Sequence, residues 1–138
     1  MNLKIKVGDY MSHVSVLKTK ISHVNEEILS RTLEILLNKY PQLEILNEKS
    51  ARDLFVTIHG DIILKYGSRY IGIHFRDGLK FEYDDWKWRN TVHNILKDFE
   101  KIYIAVAVSK VAEKYGYKTK VMQETENKVI YAELIKEA

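Results

Sequence analysis

Cysteine is absent from the 138 residues and proline occurs once. Without cysteine there are no disulfides, thiolate zinc sites or cysteine nucleophiles, and any metal site is left to His, Asp and Glu. Long hydrophobic runs are missing too. No stretch approaches the roughly 18 uncharged apolar residues of a membrane span. Met1 to Tyr10, with Lys4 and Lys6, lacks the apolar region of a secretory signal. A cytoplasmic protein without membrane contact is therefore expected. Neither sign of charge dominates: 22 Lys and Arg face 19 Asp and Glu, interleaved along the chain, and the net charge of +3 is a weak nucleic-acid signal.

What is present is a foldable balance. Hydrophobic residues make up 46% and charged residues 30%, too apolar for a disordered chain. The length suits one α+β domain over residues 1–138, able to fold alone. Abundant lysine and isoleucine, with the single proline and no cysteine, fit either a thermophilic source or AT-rich coding.

Hydrophobic periodicity lays out the elements. Leu3, Ile5 and Val7 alternate with lysines as a short strand would, and a second extended segment covers His13 to Ile21. Asn25 is a helix cap, Glu26 and Glu27 suit the positive end of the dipole, and apolar residues at helical spacing run until Pro41 ends them. The spacing predicts a helix over 26–39. Gln42 to Arg52 reads as a polar connection containing a short strand at Leu43 to Leu46.

Leu54 to Tyr83 reads as an antiparallel meander. Face consistency selects a three-residue loop at His59 to Asp61, a two-residue turn at Gly67-Ser68 and a three-residue loop ending at Gly78. One face, from Leu54, Val56 and Ile58 through Phe81 and Tyr83, is the expected core. The other, with Phe55, Thr57, Ile63, Lys65, Tyr70, Gly72, His74, Lys80 and Glu82, is expected to meet water or a partner. A helix over about 88–115 follows, with a stripe from Val92 to Val106 and Gly116 as its stop. A C-terminal hairpin closes the chain. The sum is a two-layer sandwich: an antiparallel meander sheet with N-terminal strands, packed by two helices.

Met11-Ser12-His13-Val14-Ser15, followed by Lys18, Thr19 and Ile21, resembles the opening of the conserved hypothetical chloroplast reading frame thirty-five family. The likeness continues at Ile71-Gly72-Ile73, Phe81 to Trp86 and Tyr103 to Tyr117. Residues 1–10 precede the motif and either add a strand, the favoured expectation, or reflect a misassigned start. The resemblance implies a small accessory protein encoded beside an AAA+ ATPase, hence an adaptor or regulatory role, and it supplies no catalytic residues.

Catalytic signatures are scarce. There is no glycine-rich phosphate loop, and Ser12 and Ser15 lack a glycine-flanked elbow. Neither a cofactor nor a metal is expected, because His59, Asp61 and His74 do not converge under the predicted pairing. Asp84-Asp85 reads as a helix cap before it reads as an acid–base pair. A histidine such as His13 is more often a structural hydrogen-bond partner than a ligand or base. An enzyme built on His13, His74 and the Asp84-Asp85 pair is therefore the least supported reading.

Two surfaces remain. Trp86, Trp88 and Arg89 form a partner-binding candidate, since tryptophan is common where partners anchor. Only one of the two indoles can point inward, because positions two apart face opposite ways in a strand and roughly 200° apart on a helix. Phe55, Lys65, Tyr70, His74 and Lys80 form the second surface, where rings could stack single-stranded nucleic-acid bases while lysines hold phosphates. Glu82 and the lack of an arginine cluster weigh against it, and a solvated or oligomer-covered face fits the same pattern. A non-enzymatic interaction module is the primary reading.

Overall fold

A computed structural model describes residues 14–124 and 129–136, with side chains over residues 14–116. The expected strand at Leu3 to Val7, and the motif residues Ser12 and His13, lie outside the described residues. The class is α+β, with antiparallel sheets and two long helices. The chain falls into two compact units, Met1–Val24 with Tyr40–His93, and Asn25–Lys39 with Asn94–Ala138.

The first unit is built on five antiparallel strands: β1 (Val14–Lys18), β2 (Leu43–Leu46), β5 (Ile62–Tyr66), β6 (Arg69–His74) and β7 (Lys80–Asp84), in the order β1-β7-β6-β5-β2. Turn chemistry sets the register. Gly67, with φ 61°, opens a two-residue turn that pairs Tyr66 with Arg69. Gly78, with φ 80°, closes the loop that leaves Ile73 opposite Phe81. Both turns are as the face argument predicts. On one face Ile62, Ile73 and Phe81 align, beside Leu64, Ile71 and Tyr83. Most of these side chains are buried. Each such burial is worth about 1.5–3 kcal/mol.

The segment from Leu54 to His59 departs from the predicted meander. The strand β4 (Val56–His59) pairs with β3 (Ser50–Asp53), not with β5, in a separate two-stranded hairpin. This hairpin lies against β6 and β7. Its inward residues Asp53 and Ile58 are buried, while Arg52, Thr57 and His59 are exposed.

The hairpin covers the sheet's second face. A Cβ built on Gly72 would lie 1.8 Å from the His59 carbonyl oxygen and 3.2 Å from an Ile58 methyl. Ile63, the register partner of Gly72, is consequently fully buried rather than facing water. Leu54, expected in the core, is instead 41% exposed at the hairpin tip.

The second unit contains α1 (Glu26–Lys39), most of α2 (Arg89–Glu113), and a hairpin of β8 (Tyr117–Glu124) with β9 (Val129–Lys136). The Asn25 Oδ1 accepts from the Ile28 N–H at 3.1 Å, which is the expected cap. The Tyr103 hydroxyl accepts from the Asn25 N–H at 2.9 Å and ties the start of α1 to α2. Lys39 Nζ meets Asp98 Oδ2 at 2.8 Å, with side chains only 6% and 8% exposed. Gly116, at φ 82°, follows the last turn of α2. The α2 residues Val92, Ile95, Leu96, Phe99, Ile102, Tyr103 and Val106 are buried as expected. Ile104, Val108 and Val111 form an exposed stripe on the same helix, and Tyr115 is exposed in the turn that follows it.

Candidate functional site

The site grows from a buried polar network between the tip of β3–β4 and the end of β7. Asp53 is fully buried and its Oδ1 accepts from Arg69 Nε at 2.7 Å, while Oδ2 accepts from the Tyr70 N–H at 3.3 Å. Arg69 has donors to spare and spends them on backbone: Nη1 donates to the Trp86 carbonyl at 2.6 Å and Nη2 to the Asp84 carbonyl at 3.0 Å. A planar five-donor guanidinium suits this role and an ammonium does not. One side chain thus holds three segments of chain.

Asp84 adds a second clamp. Its Oδ1 accepts from the Trp86 N–H at 3.0 Å, a local side-chain turn. Its carbonyl also accepts from the Trp88 indole N–H. Asp84 therefore organises the turn before α2 rather than capping the helix, which begins at Arg89. Its Oδ2 is buried without a hydrogen-bond partner, a state shared among the described residues with Ser109 Oγ. Burial pushes the Asp53 carboxyl above its ordinary value. Arg69 and the Tyr70 N–H pull it back, and the nearby Asp84 charge pushes it further up.

The tryptophans divide as expected. Trp88 is buried, with the Arg69 guanidinium 4.8 Å over its ring and Tyr66 6.2 Å away. Trp86 is half-buried, and Lys87 Nζ stands 4.8 Å over its ring. Phe55 is 47% exposed and meets Trp86 edge-on at 6.3 Å. The fold joins Phe55 to Trp86, residues that the sequence assigns to separate surfaces.

Backbone strain concentrates here. Among the described residues, the non-glycine residues with positive φ are Leu54, at 51°, and Lys87, at 60°. Each flanks one ring of the pair. A left-handed L-residue costs about 1–2 kcal/mol, so the surrounding bonds must over-determine both turns. The Asp53–Arg69–Asp84 network does so, fixing the residue before Leu54 and the residues on either side of the Trp86 turn.

The second predicted surface is not one open platform. Tyr70 is half-buried beside the hairpin, and Lys65 pairs across the sheet with Glu44 at the β2 edge. His74 and Lys80 lie at the other end, where His74 Nε2 contacts Glu82 Oε1 at 3.2 Å and Lys80 Nζ contacts Asp77 at 3.7 Å. Glu82 Oε2 also accepts from the His59 N–H at 2.6 Å. A cleft of about 400 Å³ opens beside them, lined by both signs of charge. Among the described residues no group of three His, Asp or Glu side chains is arranged to hold a metal.

The motif residues have structural partners. Ser15 pairs with Tyr83 in the sheet, and Lys18 with Lys80 at its end. Thr19 Oγ1 donates to the Leu79 carbonyl at 2.9 Å and accepts from the Ile21 N–H at 3.1 Å. The roles of Arg69 and Asp53 escaped the sequence reading. The mid-strand glycine at 72 was the available signal, since such a position marks a close backbone approach.

Among the described residues no helix is long and apolar enough to cross a membrane. No family model matches the chain, and no curated protein or solved structure matches it either.

Proposed function

We propose that the protein is a non-enzymatic interaction module that docks a partner protein on the patch formed by Leu54, Phe55 and Trp86. The observation that carries the reading is the Phe55–Trp86 pair, held at the surface on two left-handed turns by a buried network. Large apolar rings displayed at a cost in backbone strain are better explained by a partner than by packing. Trp88 and Arg69 support the patch from below and make no contact with the partner. On the resemblance of the Met11 to Ser15 segment, the module acts as a cytoplasmic adaptor or regulator of an AAA+ ATPase.

Single-stranded nucleic-acid binding through Phe55, Lys65, Tyr70, His74 and Lys80 is the weaker reading. The hairpin crosses that face, and His74 and Lys80 already face carboxylates. An enzyme on His74 and the Asp84-Asp85 pair is weaker still, because Asp84 is buried within backbone hydrogen bonds.

Capture from native extract tests the docking reading. The wild-type chain is expected to retain one partner in stoichiometric amount, and Phe55→Ala or Trp86→Ala to lose it while folding normally. Equal capture by all three proteins removes the reading.

A further inference from the structure

We infer that the partner segment docking on this patch is acidic as well as apolar: an aliphatic or aromatic anchor flanked by Asp or Glu. The inference rests on the docking reading above and names its chemistry.

Three cations lie close in sequence to the apolar residues, Arg52 beside the Leu54–Phe55 tip and Lys87 and Arg89 beside Trp86. Arg52 stands on the outer face of the hairpin, one residue from the tip, exposed and without an ion pair among the described residues. Lys87 is exposed, and its ammonium lies over Trp86 instead of against a carboxylate. Arg89 is 72% exposed, and its contact with Asp85 is long at 3.8 Å. Three carboxylates stand against this group: Asp53 is paired with Arg69, Asp84 is buried with its Oδ1 on the Trp86 N–H, and Asp85 faces Arg89. Asp85 is largely covered, and it offsets one of the three charges.

The place of Arg89 in its helix strengthens the same charge argument. It is the first residue of α2, and the first turn of that helix contains no acidic residue. A helix start favours Asp or Glu and disfavours cations, because the free N–H groups carry partial positive charge. In α1 the preference is obeyed, with Glu26 and Glu27 in the first turn and Lys39 in the last. In α2 it is inverted beside the aromatic patch. The helix end, Arg89 and Lys87 therefore add their fields in one place, where a carboxylate gains from all of them.

The patch matches an anchor-and-rim interface, with rings at the centre and charges around them. Rim charges steer encounter and select the sign of the partner, whereas the central rings supply most of the affinity. An acidic segment without an apolar anchor, or an apolar one without acids, engages half of the site.

Selection of random displayed peptides on the full chain tests this. The expected pool is enriched in Asp and Glu around an aliphatic or aromatic residue. Its members should lose about tenfold in affinity when their acids become amides, and at least about tenfold against Phe55→Ala or Trp86→Ala. Lys87→Glu, a surface change, should weaken binding without moving the urea midpoint. A pool that needs Phe55 and Trp86 but carries no acidic bias overturns this inference and leaves the docking reading standing. Absence of any patch-dependent peptide overturns both. In that case, patch-dependent binding to phosphatidylcholine vesicles containing phosphatidylserine assigns the patch to a membrane surface. Self-association abolished by Phe55→Ala assigns it to a second copy.

Discussion

The carbonyl oxygen of His59 occupies the space that a side chain on residue 72 would need, 1.8 Å from an ideal Cβ on Gly72. This approach seats the β3–β4 hairpin on the sheet and so places Phe55 beside Trp86. Gly72→Ala should push the hairpin off β6 and destabilise the protein by about 1–3 kcal/mol or more. Amide exchange over residues 50–59 should rise well above that of β5 and β6. An unchanged exchange pattern would show that the hairpin adjusts without losing its seat.

Arg69 is predicted to be the least replaceable residue of the network, although its side chain is largely covered. Arg69→Met strands the buried Asp53 carboxylate and the Trp86 carbonyl, and leaves the Asp84 carbonyl only the Trp88 indole, at a cost of about 3–5 kcal/mol in urea denaturation. Asp53→Asn together with Arg69→Met should cost less than Arg69→Met alone, because the stranded charge is gone. If the two changes simply add, the network is not coupled.

Asp53 also sets a pH dependence. Its folded-state value is raised above the ordinary 3.8, so the folded protein holds this proton more tightly than the unfolded chain. The stability gained from that proton is complete below 3.8 and disappears as pH rises through the raised value. Urea midpoints measured from pH 3 upward should therefore fall for the wild type relative to Asp53→Asn across that window. Parallel curves for the two proteins would contradict the shift.

The two left-handed turns make an opposite pair of predictions for stability and binding. Leu54→Gly relieves backbone strain and removes an exposed side chain, so it should stabilise by about 1 kcal/mol while weakening the partner. Lys87→Gly should do the same. Loss of stability in both would mean that these side chains serve packing and not display.

In the helical unit, Lys39→Met removes the cation that the buried Asp98 meets and should cost about 3–5 kcal/mol. Lys39→Met with Asp98→Leu should recover most of the loss, as measured by thermal and urea unfolding. A double variant no better than the single one would show that the pair does more than neutralise itself.

Local signals were legible wherever chemistry is local. Asn25 and Gly116 bound their helices, and Gly67 and Gly78 fixed the register of β5, β6 and β7. The β3–β4 hairpin was not legible. Its tip places Leu54 where a glycine or asparagine would have announced a turn. The alternation of Val56 and Ile58 fits a strand in the main sheet as well as one lying over it. Two residues held the missing information: Ile63, apolar on a face read as polar, and Gly72, opposite it. The joining of Phe55 to Trp86 depends on the Asp53–Arg69 bond between distant strands, which no local pattern encodes.

Amide exchange of the chain, alone and in complex with its captured partner, tests the central claim most directly. Docking on the Phe55–Trp86 patch predicts protection centred on residues 53–56 and 85–89. Protection concentrated instead on the β1 edge or on the cleft of about 470 Å³ between α1 and α2 would contradict it.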